Sequence, residues 1–456
     1  MSIGEAVPGT TPARLQALPV ALRKVLAPLL GNEGSAQTGR AAILAFSIRI
    51  GSAAIAYLSQ VLLARWMGSF EYGVFVFVWV WVLILGGLTT LGLSAAAMRY
   101  VAEYRETGRH ELLRGLLNRS RVIAVFASTL LALAGLVGLY VLGDRVATYY
   151  VLPAFLILFC LPMYTLVDVQ DGIARGCGWM DVALVPPYIL RPLLLLLAML
   201  GIYVSGIEMS AVSAAGAAIF ASWASAIVQG LQLRKRFNTD IGTGKCDYDT
   251  KLWMSTALPL LLFHGFELLL QNTDILVLSL YVSPSDVAVY FAALKTISLV
   301  AFVHFAVGAA TANRFSAHNA LGEKTKLQRA VRDAVKWTFW PSLGGAIVLL
   351  LLGKPLLWLF GSEFTMGYPA MFVLGIGLVL RAATGPVEIV LNMLGEQKIC
   401  AAILFAMAGL NLALNFALIP AYGLMGAAAA TAISMALGAF SMAYAAHKRV
   451  KLTCFI

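Results

Sequence analysis

An apolar stretch near the middle of the chain carries several polar side chains, in the run "HGFELLLQNTD" at residues 264–274. At 100° per residue, His264, Glu267, Gln271 and Asp274 fall within an arc of about 80° on a helix. The other faces of this segment are Leu, Phe, Ile and Val. Because a charged side chain that faces lipid is costly, we expect this polar stripe to face the protein interior or water.

A second apolar stretch shows the same design. Arg381, Glu388 and Asn392 follow one another at helical spacing and therefore share one face of a helix. For the asparagines and Gln271 the sequence favours hydrogen bonds between helices that hold a bundle together. For the ionisable side chains it favours a water-filled cavity, since such groups at membrane depth usually mark pathways.

Three further basic residues interrupt apolar stretches: Arg49, Arg191 and Lys295. Arg191 follows the two prolines of "VPPYIL", which predicts either a broken helix near a site or a kink whose arginine pairs with Asp168 or Asp171. Arginine keeps its charge when buried and grips phosphate through two parallel hydrogen bonds. A phosphate-bearing substrate therefore fits this set better than a cationic drug does.

The composition identifies the elements that must position these residues. The chain is 60% hydrophobic and 12% charged, with a mean hydropathy of +0.85, whereas a soluble domain carries about 25% charged residues. Apolar runs of about 20 residues, long enough to cross a bilayer as helices, recur along the chain. They predict an all-α integral membrane protein with about twelve transmembrane helices, near residues 42–64, 73–97, 122–143, 149–169, 182–204, 210–231, 253–281, 287–312, 336–353, 367–392, 399–419 and 423–446.

The positions of the basic residues predict the orientation of these helices. With the N-terminus in the cytosol, most of the 33 lysines and arginines fall on the cytosolic side, and the opposite side receives Arg65, Arg145 and Lys354. This asymmetry follows the positive-inside rule and predicts that both termini are cytosolic. The net charge of +11 is thereby attributed to orientation, and nucleic acid is not expected as a partner.

A polar connection divides the chain into two halves with the same number of helices. The predicted segments are a cytosolic tail at 1–41, an N-lobe at 42–232, a cytosolic linker at 233–251, a C-lobe at 252–447 and a tail at 448–456. "MGSFEYGVF" from Met67 aligns with "VSPSDVAVY" from Val282, and Gly178 aligns with Gly395 at nearly the same offset. Two six-helix lobes related by a pseudo-two-fold repeat are therefore expected, as in transporters whose site lies between the lobes.

Cofactors are not indicated. The five cysteines show no spacing typical of a metal site. The segment "IGTGKCD" at 241–247 resembles a phosphate-binding loop faintly, but Thr239 and Cys246 occupy positions that the motif reserves for other residues. We interpret it as the connection between the halves.

Several motifs resemble a known family. The stretch "LLARWMGSFEYGVFVFVWVWVLILGGLTTLGLSAAAMRYVAEY" at 62–104 resembles the first two spans of bacterial lipid-linked oligosaccharide flippases. These form the Wzx-type polysaccharide transport family of the multidrug/oligosaccharidyl-lipid/polysaccharide exporter superfamily. "DILVLSLYVSPSDVAVYFAAL" at 274–294 resembles that family's seventh span, with Ala288 where the pattern usually has glycine, and "GIARGCGWMD" matches a recurring junction.

The resemblance implies a transporter in the bacterial inner membrane, not an enzyme. It implies alternating access that carries an undecaprenyl-pyrophosphate-linked oligosaccharide, with pyrophosphate binding at Arg49 and also at Arg381, Lys295 and Arg191. Coupling to protons or sodium is typical of the superfamily, and the candidates for coupling or cavity lining are His264, Glu267, Gln271, Asp274, Glu388 and Asn392. A polymerase and glycosyltransferases of the same pathway are the expected partners.

Two other functions are compatible with the sequence at this level. One is an ion-coupled multidrug or peptidoglycan-precursor exporter of the same superfamily, which predicts a cavity of net negative charge or a different number of spans. The other is a membrane-embedded glycosyl-transferring enzyme. That enzyme would need clustered carboxylates at the interface, and Asp168 and Asp171 are too few.

Overall fold

The computed structural model describes residues 33–456, except for the side chains of 33–47, 49, 50, 142 and 144. Most of the predicted N-terminal tail lies outside this range. Within it the regular structure is helical, with no strand. The α-helices are α1 Glu33–Thr89, α2 Leu93–Glu106, α3 His110–Leu142, α4 Thr148–Ile157, α5 Leu161–Gly176, α6 Met180–Val185, α7 Arg191–Val204, α8 Ala211–Asp240, α9 Thr250–Leu278, α10 Pro284–Ile297, α11 Ala301–Ala320, α12 Lys324–Leu351, α13 Gly353–Trp358, α14 Tyr368–Ala382, α15 Val387–Met393, α16 Gln397–Tyr422 and α17 Leu424–Val450.

The number of membrane-crossing segments agrees with the sequence pattern. Eleven helical segments of the described chain are long and apolar enough to cross a membrane. The first of them, in α1, is interrupted at Gly68, where φ is 76° and ψ is 167°, so α1 comprises two helices. Counting both gives twelve, as predicted, and the fold is that of an all-α membrane protein.

Many helices extend beyond the predicted apolar spans. Helix α3 begins at His110, well before its apolar part, and α8 continues to Asp240. A helix satisfies its own backbone hydrogen bonds, so it continues into polar sequence until a glycine or another breaker ends it. The connection between α8 and α9 is thereby reduced to residues 241–249.

Three breaks within spans shape the interior. Gly92, with a φ of 74°, separates α2 from α1. A π-helical turn at Pro186–Leu190 precedes α7, at consecutive prolines that lack backbone N–H groups. Helix α14 ends before Gly385, whose φ is 61°, and Pro386, and α15 resumes at Val387. Arg191 directly follows the π-helical turn, and Arg381 and Glu388 lie at the helix ends on either side of the third break.

The two lobes are packed tightly at the end of the bundle opposite residues 241–249, which we call the far end. The Tyr57 hydroxyl lies 3.1 Å from Thr296 Oγ1. Arg65 donates to the backbone oxygens of Leu359 and Trp358 at 2.7 and 2.8 Å. These bonds join α1 to the second half of the chain.

At the linker end, where residues 241–249 lie, α9 is the element that joins the lobes. Its first turns contact α2: Trp253 Nε1 donates to the Tyr104 hydroxyl at 2.9 Å, and Thr256 Oγ1 lies 2.8 Å from the Tyr100 hydroxyl. The later turns of α9 pack against α16. The exact lobe boundaries remain a prediction.

Candidate substrate cavity

A cavity of about 740 Å³ lies between the lobes. Its walls come from α1 and α7 on one side and from α9, α10, α11, α14, α15, α16 and α17 on the other. The structure brings seven of the ten predicted site residues to this cavity: Arg191, Glu267, Gln271, Asp274, Lys295, Arg381 and Glu388. Its size falls in the range of roughly 300–1,000 Å³ that is typical of ligand sites.

Arg381 and Glu388 form a charged cluster with His304. Arg381 Nη2 donates to Glu388 Oε1 at 2.9 Å, and His304 Nε2 lies 2.7 Å from the same oxygen. Arg381 lies in the last turn of α14 and Glu388 in the first turn of α15. The break between these helices therefore sets the geometry of the pair.

Asp274 is the most deeply buried carboxylate of the cavity, with 1% of its surface exposed. The Tyr290 hydroxyl donates to Asp274 Oδ2 at 2.6 Å, and Thr431 Oγ1 donates to the same oxygen at 3.2 Å. The backbone N–H of Ile275 donates to Oδ1 at 2.9 Å. Neutral donors from three helices thus hold this carboxylate in place.

Arg191 and Lys295 contact aromatic rings. The Arg191 guanidinium carbon lies 4.9 Å from the centre of the Tyr164 ring and 5.6 Å from that of Trp79, and Lys295 Nζ lies 5.0 Å from that of Phe291. Such contacts orient a cation without neutralising it. Among the described residues, neither cation forms an ion pair within 4.0 Å.

The structure combines parts of the two alternatives for Arg191: the helix is kinked, but no ion pair of Arg191 with Asp168 or Asp171 within 4.0 Å occurs among the described residues. Asp171 forms a bidentate pair with Arg175, at 2.9 and 2.8 Å. Arg191 lies instead directly after the π-helical turn and lines the cavity. The backbone stays helical through this turn, so the helix is kinked and not broken, and Arg191 lies beside the cavity.

The polar stripe of α9 is only partly in the cavity. Gln271 Nε2 donates to Glu267 Oε1 at 3.3 Å, and both side chains line the cavity. His264 lies 3.7 Å from Glu267 Oε2 but outside the lining. Asn392 is also outside it, and its buried Oδ1 has no hydrogen-bond partner among the described residues. Arg49 belongs to α1, but its side chain lies outside the description.

Sequence reasoning missed three of the partners. Tyr290 and Thr431 hold Asp274, and His304 contacts Glu388. Tyr290 and Thr431 are common residue types in apolar helices, so their sequence gives no signal. A histidine at membrane depth, such as His304, does draw attention in the sequence. Its partner Glu388 lies 84 positions away along the chain, so the pairing could not be predicted. No group of three or more metal-ligating side chains occurs in the part of the chain that the structure describes.

A helical membrane protein with a charged cavity between two lobes is, by class, a transporter. Comparison with known proteins gives the family. The family model described as polysaccharide biosynthesis protein matches residues 39–312, more than half of the chain, and the chain belongs to this family. The model described as MatE matches residues 259–417. The resemblance drawn from the motifs at 62–104 and 274–294 is confirmed at the level of the superfamily.

Individual relatives are distant in sequence and similar in fold. An uncharacterised membrane protein of Methanocaldococcus jannaschii is 23% identical over 404 residues, which are 83% of this chain and 78% of that protein. An inward-facing multidrug resistance MATE family transporter of the MOP superfamily gives a TM-score of 0.75 at 17% identity, covering 88% of this chain and 94% of that one. The lipid II flippase MurJ, in an inward closed conformation, gives 0.67 at 16% identity, covering 90% and 88%. By their titles, the two solved structures are a transporter and a flippase, and this chain shares their fold.

Proposed function

We propose that this protein is a flippase that carries an undecaprenyl-pyrophosphate-linked oligosaccharide across the bacterial inner membrane by alternating access. The glycan would serve a surface polysaccharide: O-antigen, capsule or exopolysaccharide. Both termini would be cytosolic, and glycosyltransferases and a polymerase of the same pathway would supply and consume the substrate. The observation that carries the proposal is the pair of cavity cations, Arg191 and Lys295, which lie against aromatic rings and form no ion pair within 4.0 Å among the described residues.

Three cations and three carboxylates line the cavity, and the placement of two of the cations suits an anionic substrate. Of the three carboxylates that line it, Glu388 is paired with Arg381, and Asp274 is held by hydroxyl groups. Glu267 is bonded to Gln271. Arg191 and Lys295 form no ion pair within 4.0 Å among the described residues, so both can bind an anion, and an arginine offers two parallel N–H donors to a phosphate. A polar headgroup in the cavity avoids the hydrocarbon, while an isoprenoid tail can remain in the lipid.

Coupling to an ion is assigned to the carboxylates of α9. Asp274 is buried, lies at the cavity wall and accepts hydrogen bonds from Tyr290 of α10, Thr431 of α17 and the backbone of its own helix. A proton or sodium ion bound there would change both the local charge and the bonds that join α9 to α10 and α17. Glu267, with His264 beside it, is the second candidate.

A small-molecule exporter is the second candidate function. It is favoured by the MatE match over residues 259–417, which covers most of the charged wall of the cavity. The two functions differ in the sign of the charge that the cavity must accept. A cationic drug would need Glu267 and Asp274, whereas a pyrophosphate would need Arg191 and Lys295.

The decisive experiment is transport in proteoliposomes, with a labelled lipid-linked glycan and, separately, a fluorescent cationic dye. Arg191→Ala and Lys295→Ala should each lower glycan flipping by roughly 10-fold or more, because a hydrogen bond to a charged group contributes about 1.5–3 kcal/mol. Lys354→Ala is the matched control, since Lys354 contacts the Tyr368 ring at 5.5 Å outside the cavity. Dye export without glycan flipping would establish the second function instead.

A further inference from the structure

The residues that follow α17 are docked against the bundle. Residues 452–456, which we call the strap, follow Lys451, whose φ of 57° ends α17. Leu452 and Cys454 are 3% and 2% exposed. They belong to one apolar cluster with residues of α11, α12, α15 and α16, including Phe315, Leu327, Val331, Val387, Leu391 and Cys400.

One side chain of α12 holds the strap by both of its polar atoms. Gln328 Nε2 donates to the backbone oxygen of Thr453 at 3.0 Å, and the backbone N–H of Thr453 donates to Gln328 Oε1 at 2.8 Å. On the other side, the Phe455 ring lies 5.9 Å from the Phe440 ring of α17. The strap is therefore fixed between α12 and α17.

The end of the strap reaches the break that carries the charged cluster of the cavity. The backbone N–H of Ile456 donates to the oxygen of Ala383 at 3.2 Å. Ala383 caps α14, and the carbonyl groups at a helix end need partners from outside the helix. Arg381 precedes this position by two residues, and Glu388 follows it by five.

We propose that the strap positions Arg381 and Glu388 at the cavity by fixing the angle between α14 and α15. The strap binds the end of α14 through Ile456, and Leu452 and Cys454 share one buried apolar cluster with residues of α15. Arg381 and Glu388 lie on the two helices that meet there, so the 2.9 Å contact between them depends on that angle. The strap and Gln328 are positioning groups, and their importance for transport rests on the proposed function.

The test measures the exposure of the break between α14 and α15. Thiols react with N-ethylmaleimide, and mass spectrometry quantifies the reaction of each cysteine-containing peptide. Thr384 is 1% exposed, and its hydroxyl donates to the oxygen of Arg381 at 2.9 Å, so Thr384→Cys reports on the break. Cys454 reports on the strap itself. In Thr384→Cys combined with Gln328→Leu, both thiols should react roughly 10-fold faster or more, since two hydrogen bonds are lost.

Two comparisons make the outcome decisive. Gln232→Leu, at an exposed position of α8, is the control and should leave both thiols protected. A chain ending at Lys451 removes the strap, so position 384 must then become reactive. The proposal is overturned if the thiol at position 384 stays unreactive in that shortened chain. It is also overturned if Gln328→Leu makes Cys454 reactive and leaves the thiol at position 384 unreactive.

The transport readout separates this inference from the proposed function. In proteoliposomes, Gln328→Leu should raise the KM for the lipid-linked glycan more than it lowers kcat, because the charged wall formed by Arg381 and Glu388 shifts in the cavity that admits the glycan while the lobes still move. A wild-type protein that flips no glycan would refute the proposed function alone, since the thiol reactivities decide the strap independently.

Discussion

At the scale of single residues, the cavity uses its charges in two ways. Arg381 and Glu388 neutralise each other beside His304, whereas Arg191 and Lys295 lie against aromatic rings. A buried charge without compensation is costly in a membrane, so aromatic faces are a low-cost way to keep a cation ready for an anion. The proposed function places the substrate at the second pair.

Asp274 allows the coupling role to be tested at constant shape. Asp274→Asn removes the charge but still accepts hydrogen bonds from Tyr290 and Thr431. We expect a folded protein whose glycan transport no longer responds to an imposed proton or sodium gradient, measured in vesicles with and without that gradient.

Thr431→Val is the control for this test, because it removes one donor to Asp274 and keeps the carboxylate. It should preserve gradient dependence and lower stability by about 0.6 kcal/mol, the average for hydrogen bonds between membrane helices. If Asp274→Asn remains gradient-dependent, Asp274 only holds the bundle together.

At the scale of elements, glycines allow helices of the two lobes to approach at the far end. A Cβ added to Gly73 of α1 would meet the backbone oxygen of Pro284 at 1.8 Å, and backbone cannot move aside as a flexible side chain can. Gly138 of α3 has nothing within 4 Å of its added Cβ. The two positions are thus a matched pair for the same substitution.

Gly73→Ala should destabilise the protein by about 1–3 kcal/mol, the usual cost of overpacking, because α1 and the start of α10 must move apart. Gly138→Ala should be neutral or stabilising by up to about 1 kcal/mol, since alanine favours helix. Thermal unfolding in detergent measures both. Equal unfolding temperatures for the two variants would show that the lobes are not in close contact at this point.

At the scale of the whole molecule, the orientation in the membrane remains a prediction from the basic residues. Arg145→Cys, in the connection after α3, should react with a membrane-impermeant maleimide added to intact cells. The native Cys246, between the lobes, should react only after the membrane is permeabilised, because it lies on the cytosolic side. The reverse pattern would invert the proposed topology.

The sequence by itself determined the class of the molecule. Hydropathy and helical periodicity depend on neighbouring residues, so the twelve spans, the polar face of α9 and the shared face of Arg381 and Glu388 could be predicted. The kink at Pro186–Leu190 was one of two alternatives that the sequence offered, because proline acts on its own helix. The family resemblance depended on local motifs, so it too could be recognised from the sequence alone.

The tertiary structure alone decided which polar groups meet. Asp274 and Thr431 lie 157 positions apart, and Gln328 and Thr453 lie 125 apart, so no local pattern joins them. His264 shares the polar face of α9, yet the lateral packing of the helices leaves it outside the cavity that Glu267 lines. Helical periodicity sets the direction in which a side chain points from the axis of its helix. The neighbouring helices, and the breaks along them, determine what that side chain contacts.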